Sequence, residues 1–530
     1  MRHLFDTTRD RRTVATLVII LLTVSTIFLL KPFYDNDFFW HLKTGEWIWQ
    51  QGKLPTGDVF SHTTPGVLTP AITFTLTSYW LSQVILYLAY LCHGMSGIVV
   101  VRFLVSGILF YTMLYRQRGE RLIDTSLMLL FALMILNFYL LERPQTASFV
   151  CFGLMLAILD RMRGALPTPP VEDRFSPTLR NSLALSAVML VWSNAHGGYL
   201  VGQATILLII FMESIKFLHV RFKPLSPASF RRLGIVCLCG LFTSLANPNT
   251  YKALLFMLQT RSDNTSTQIQ EFASMPEAYS TFHSPVLIIY FAIMALTVLL
   301  ILTHRKKVDI TEIVLLCFLG FFAFIHIRYA AFFAIAVIPL VGQLLSDTPL
   351  ITRWARRILP AIAIMMAIIT VRGEFSTNVA TAWQGAWVND QLFPEKAADF
   401  IIANHLQGNM FNDYDWGGYL IWRLAPEGKV FSDGRNLNTD TLALDYQIKT
   451  AYTSSSGEQI WKQLLQKYHI NYIITASRLQ NGTVAPLTNA LLSDKDWLPV
   501  FIHRRSLSII FVRNIPENAQ IIAQSKFDGV

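Results

Sequence analysis

The 530-residue chain is 53% hydrophobic and 15% charged with a mean hydropathy of +0.42, which excludes an ordinary soluble domain and points to a polytopic membrane protein. Its net charge of +10 does not signal nucleic acid. Residues 1–371 carry 30 Lys/Arg against 19 Asp/Glu, while residues 372–530 carry 14 against 15, so the basic excess travels with the hydrophobic spans. All five cysteines (Cys92, Cys151, Cys237, Cys239, Cys317) lie in apolar segments, and none is in the C-terminal part, which argues against a disulfide framework or a zinc knuckle.

The first hydrophobic stretch, near 13–33, is long enough to cross a bilayer and lacks the small-residue cleavage site of a signal peptide. Its basic tail (Arg2, Arg9, Arg11, Arg12) is expected to stay cytoplasmic. A long first external loop, 34–96, follows, with surface-lying helices at 40–51 and 78–93. Tyr79, Trp80, Tyr87 and Tyr90 suit the headgroup level, and counting 78–93 as a span would invert everything downstream. Further spans are expected near 97–116, 122–141, 144–162, 180–194, 197–218, 232–247, 284–303, 310–326, 329–346 and 356–371. With eleven spans, the cytoplasmic segments hold 22 Lys/Arg and the external ones 7.

The composition shifts after Val371. The reading is therefore a membrane domain over 1–371 and a soluble extracytoplasmic α/β domain over 372–530. In the latter, 394–406 and 457–468 read as helices, 429–433 as extended chain and 470–476 as a buried strand. Residues 497–503 and 507–513 read as a closing hairpin. No internal repeat or low-complexity tract is present.

The expected chemistry gathers at the external ends of the spans. Asp35-Asn36-Asp37-Phe38-Phe39-Trp40-His41 sits at the mouth of the first span, where ionisable groups are costly and mark sites. Glu142-Arg143-Pro144, Asn194-Ala195-His196-Gly197-Gly198, Asn247-Pro248-Asn249, Glu271 and His326-Ile327-Arg328 fall on the same face. A carboxylate beside apolar surface can serve as a general base, and the aromatic run next to Asp37 favours it slightly over Asp35. Two carboxylates one residue apart can instead hold Mg²⁺ or Mn²⁺. Arginine suits a buried phosphate because it stays charged and donates bidentately.

Bland readings stand beside these. Arg143 and Arg328 could be helix-end anchors, the histidines packing residues, Asn247-Pro248 a helix stop and Glu271 a solvated loop residue. In the C-terminal domain, Asn412-Asp413-Tyr414-Asp415-Trp416-Gly417-Gly418 reads as turn chemistry, and Asp433-Gly434-Arg435 stays open between turn and sugar binding.

The set Asp35-x-Asp37-x-x-Trp40-His41-Leu42-x-x-Gly45, Arg143-Pro144, Asn194-x-His196-Gly197-Gly198, Asn247-Pro248 and Asp433-Gly434-Arg435 resembles a bacterial branch of the C-type membrane glycosyltransferases. That resemblance implies an inner-membrane enzyme transferring a hexosyl or pentosyl unit from a polyprenyl-phosphate-linked donor to an extracytoplasmic glycan, lipid or protein. Asp37 or Asp35 would be catalytic or metal-holding. His41, Arg143, Asn194, His196, Glu271, Arg328, Asp433 and Arg435 would bind substrate. The pair here is Asp-x-Asp where mannosyltransferase-like members have adjacent Asp-Glu, so either carboxylate can hold the catalytic role. The alternatives are a transporter or flippase of a lipid-linked saccharide and a non-catalytic glycolipid binder. A transporter would place polar residues through the bilayer midplane, often in repeats.

Overall fold

The structure is a computed structural model. It describes residues 8–64, 69–117, 129, 132–133, 135–137, 139–166, 176–219, 222–259, 273–282, 285–305, 307–346, 361, 364–365, 368, 372 and 375–525. Glu271 and most of the expected spans 122–141 and 356–371 lie outside the described residues. The chain divides into two compact units, Met1–Lys31 with Ala89–Gly385 and Pro32–Leu88 with Ala386–Val530. The first-loop segment, read from composition as part of the membrane domain, thus packs with the C-terminal residues.

The first unit is helical. Its elements include Thr8–Leu29, Gln145–Met162, Pro177–Ala195, Tyr199–Ile215, Pro227–Thr243, Pro285–Thr303, Ile310–Ile325 and Ala330–Ser346. Among the described residues, four helices are long and apolar enough to cross a membrane: Pro70–Arg116, Gln145–Met162, Tyr199–Leu218 and Ile327–Leu345. Ile19–Leu29, Leu287–Thr303 and Ile310–Ile325 are shorter apolar helices. The helix Trp80–Arg116 is broken at His93 (φ −148°) and Gly94 (φ +58°), so the expected loop helix and the following span are continuous except at that kink. Two helices start the same way: Ser176 and Ser226 accept from the N–H groups of Leu179 and Ser229, and proline occupies the next position, where no N–H is needed. The pair Pro177–Ala195 and Pro227–Thr243 packs closely because a Cβ on Gly240 would fall 2.8 Å from Leu185 Cγ.

Three basic side chains near helix ends are buried. Arg116 pairs with Asp160 at 3.0 Å. Arg163 reaches Glu213 at 2.8 Å and Asp309 at 3.1 Å, and Lys216 reaches the same two carboxylates at 2.8 and 2.7 Å. Thr311 Oγ1 also donates to Glu213. Arg116 does a second job. Pro339, inside the helix Ala330–Ser346, has no N–H for the Ile335 carbonyl four residues back, and Arg116 donates to that carbonyl at 2.7 Å.

The second unit is built on a four-stranded sheet. Its strands are β1 (Asn409–Asn412), β2 (Ile470–Ala476), β3 (Trp497–His503) and β4 (Ser508–Arg513), in the order β1-β2-β4-β3. The expected hairpin is present, with Trp497 opposite Arg513 and His503 opposite Ser508. β1 pairs parallel to β2, with Phe411 opposite Ile473. Helices Glu395–Ala403, Gly417–Leu424, Thr439–Lys449, Ile460–Lys467 and Pro486–Leu492 accompany the sheet. Phe411, Phe431, Ile448, Trp461, Leu465, Ile473, Leu487, Ile509 and Phe511 form its core. Residues 429–433 do not join the sheet: Val430 pairs with Ser61, its N–H donating to Phe60 O and its carbonyl accepting from His62 N. The first loop therefore supplies backbone partners to the C-terminal domain. Phe33 N–H likewise donates to Trp387 O at 2.7 Å.

Two measurements check this arrangement. Cysteines introduced at Asp58 and Asn481 should react from the same face of sealed membranes, and labelling from opposite faces would contradict a common unit. Glu213→Ala should lower thermal stability in detergent by about 3–5 kcal/mol, because it leaves Arg163 and Lys216 short of a buried partner.

Candidate active site

The helix Asn36–Gln51 begins at Asp35, whose side chain accepts from Asp37 N–H at 3.0 Å. Asp35 is buried and serves as the helix cap, a role its short carboxylate fills well. Asp37 stands in the first turn, half-buried, and its Oδ1 accepts from Trp40 Nε1 at 3.0 Å. His41 is buried: its Nδ1 meets Gln83 Nε2 at 3.1 Å and its ring packs on Trp40 and Tyr79. Sequence reasoning placed His41 among substrate ligands; here it locks the helix to its neighbour, where Gly45 allows the Gln83 carbonyl to approach. Phe33, Phe38, Phe39, Phe393, Tyr419 and Trp422 form a continuous aromatic cluster beneath.

The Asp433-Gly434-Arg435 turn lies against this helix. Arg435 is 5% exposed and is held by two carboxylates: Nε and Nη2 donate to Asp433 at 2.7 Å, while Nη1 and Nη2 donate to Asp58 at 2.7 and 3.3 Å. Burial raises the Asp58 carboxyl, but Arg435 and hydrogen bonds from Ser61, Thr64 and Phe60 N–H outweigh it and hold the group at about 2. For Arg435, burial is likewise overcome by Asp433 and Asp58, so its proton is held more tightly than usual. Asp433 and Arg435, expected to bind substrate, spend these donors and acceptors inside the protein. Asp58 is a site residue the sequence analysis missed; the Ser61 and Thr64 hydroxyls that follow it at turn spacing were its only local signal.

Tyr414 is the other addition. Its hydroxyl accepts from Asn436 Nδ2 at 2.8 Å. Burial first, then the nearby Asp37 charge, raise its pKa above the usual phenol value. Behind it, Asp413 accepts from Thr475 Oγ1 and Ala476 N–H, and Asp445 from Ser432 Oγ. Burial and then the Asp413 charge push Asp445 up to about 7.

The remaining polar residues belong to the first unit. Glu142 forms a buried ion pair with Arg102, which also donates to the Leu29 and Lys31 carbonyls at the end of the first helix. Ser148 and Gly198 N–H hydrogen bond to His196 Nδ1 at 2.7 and 2.9 Å, which leaves the ring proton on Nε2. Arg328 lies close enough to His196 to act on it electrostatically. Asn194, expected as a substrate ligand, donates its amide to the Leu190 and Ala246 carbonyls. Asn247 accepts from Asn249 and Thr250 N–H in a helix-stopping turn. Arg143 and Arg328 are half-buried.

The expected metal was tested against these donors. Asp35 is committed as a cap, Asp37 Oδ1 to Trp40, and among the described residues no group of three or more His, Cys, Asp or Glu side chains is placed to hold a cation. The residues do not fit a metal held by protein ligands alone.

No protein-family model and no curated protein matches the chain. Solved structures do match, and the fold is the one found in C-type membrane glycosyltransferases. The apo oligosaccharyltransferase of Archaeoglobus fulgidus aligns with a TM-score of 0.55 at 11% identity, over 88% of this chain and 69% of its own. The same organism's AglB, in complex with an inhibitory peptide and a dolichol-phosphate, gives 0.52 at 10% identity over 87% and 69%. ArnT from Cupriavidus metallidurans, bound to undecaprenyl phosphate, gives 0.52 at 12% identity over 95% of this chain and 98% of its own. At these identities the likeness is one of fold.

The raised Asp445 carboxyl has a defined pH signature. Its charged form is disfavoured in the folded state, so the stability tied to it is full below about pH 4, its unfolded value, and is lost as pH rises through 7. Asp445→Asn keeps an acceptor for Ser432 and removes the charge. The variant should melt about 4–8 °C higher than the parent at pH 8 and within a degree or so of it at pH 4, as read by thermal unfolding in detergent. An equal shift at both values would show that the carboxyl titrates normally.

Proposed function

We propose that this protein is a multi-pass membrane glycosyltransferase of the cell envelope that moves a sugar from a polyprenyl-phosphate-linked donor to an acceptor outside the cytoplasm. The observation that carries the reading is Asp37. It is a half-buried carboxylate on the first turn of a helix that directly follows the first span, with Oδ1 fixed by Trp40. The shared fold supports it, since two of the matched structures hold dolichol-phosphate or undecaprenyl phosphate.

In this reading Asp37 is the general base that accepts the proton of the acceptor hydroxyl or amine as the sugar leaves its phosphate. Asp35 orients it through the helix cap. Arg143 and Arg328 hold the donor phosphate. Eleven spans, a cytoplasmic N-terminus and an extracytoplasmic C-terminal domain complete the proposal. A divalent cation enters as a test outcome, because one matched AglB structure is a complex with Zn and sulfate.

Asp37→Asn preserves size and hydrogen bonding and removes the base. Transfer from a defined polyprenyl-phosphate sugar in membranes should fall about 10²–10⁴-fold while protein abundance stays normal. Parental activity in both the Asp37→Asn and Asp35→Asn variants would remove this site from the chemistry. A chelator that abolishes transfer by the parent protein would assign the pair to metal binding instead. Transbilayer movement of the lipid-linked sugar without transfer would favour a flippase.

A further inference from the structure

Three glycines crowd the start of the helix that carries Asp37. A Cβ on Gly434 would sit 1.9 Å from Asp37 Oδ1 and 3.7 Å from Oδ2. A Cβ on Gly418 would sit 2.2 Å from the Asn36 carbonyl and 3.2 Å from Trp40 Cδ1. A Cβ on Gly417 would meet the Ser432 carbonyl at 2.1 Å and Asp433 Cβ at 2.7 Å. None of the three has a positive φ, so each position uses the missing side chain rather than unusual backbone freedom. Contacts under 3.0 Å to backbone carbonyls and to a carboxylate already bonded to Trp40 cannot be relieved by rotating a flexible chain end.

The three contacts close a triangle. Gly417 joins the helix Gly417–Leu424 to the 432–433 segment, Gly418 joins that helix to the Asn36 turn, and Gly434 joins the turn after Asp433 to Asp37. Arg435, gripped by Asp58 and Asp433, fixes the height of the last contact. We infer that Gly434 is a positioning residue for Asp37: it seats Oδ1 against the turn and against Trp40, which sets the orientation in which the carboxylate meets the acceptor. This deepens the proposed function and rests on its assignment of Asp37 as the base. The Gly-Gly and Asp-Gly pairs, read from sequence as turn chemistry, become parts of one seat.

The test is a double-mutant cycle in the full-length protein with Gly434→Ala and Asp37→Ala, following transfer from a polyprenyl-phosphate sugar and thermal stability in detergent. Gly434→Ala should lower transfer about 10²-fold, as a displacement of about 1 Å at a reacting group does, and should shift the acidic limb of the remaining kcat/KM profile. In the Asp37→Ala background, where the obstructing carboxylate is gone, the same substitution should cost no further activity and no stability. Gly57→Ala, in open space on the first loop, should match the parent. Parental activity and pH profile in Gly434→Ala would overturn the inference and leave Asp37 as the base. So would an equal loss of stability with and without the Asp37 carboxylate, an outcome that can be read even if Gly434→Ala alone folds poorly. Full transfer by Asp37→Ala would instead defeat the proposed function, with the stability coupling still reporting on the seat.

Discussion

The site depends on the need to neutralise one buried guanidinium. Arg435 cannot lose its proton, and at 5% exposure water does not solvate it. Asp433, two residues away, supplies one counter-charge through a tight turn. Asp58, from a segment 377 residues earlier, supplies the other. Removing either carboxylate would strand charge in the interior, so the first loop is tied to the C-terminal domain by electrostatic necessity as well as by the backbone bonds of Phe60 and His62 to Val430 and the Thr63 hydroxyl on the Phe431 carbonyl. The turn that this pairing holds in place also forms the wall against which Asp37 rests.

The first unit answers the same problem with different chemistry. Arg163 and Lys216 share Glu213 and Asp309, and Arg116 divides its donors between Asp160 and a carbonyl that proline has left without an N–H. In a lipid-facing fold each such polar group needs a partner from the protein, so helix contacts and hydrogen-bond accounting become one constraint. Arg102, in mid-helix, follows the rule by pairing with Glu142 and closing the end of the first helix.

Much of this was legible in the sequence. Hydrophobic runs located most described helix boundaries to within a few residues, and the buried-strand and hairpin readings found β2, β3 and β4. Asp35-x-Asp37 stood out because carboxylates at a span mouth are costly. What escaped came from long-range pairing. Strand β1 is four residues long and gains its identity from a parallel partner 60 residues on, which no local period reveals. Asp58 carried no local sign of its partner because the guanidinium lies 377 residues further along the chain. The internal bonds of His41 to Gln83 and of Asn194 to the Leu190 and Ala246 carbonyls were hidden because residue type signals polarity but not which neighbour uses it.

The pairing of Asp58 with Arg435 also has a consequence in time. A ribosome adding about 5–20 residues per second needs roughly 20–75 s to travel from the first partner to the second. Throughout that interval Asp37 has emerged but its wall has not been made, since Gly434 is synthesised in the last fifth of the chain. A nascent or truncated chain can therefore thread its spans and still have no seated carboxylate. The wall beside Asp37 is therefore assembled late, only after residue 434 has been made.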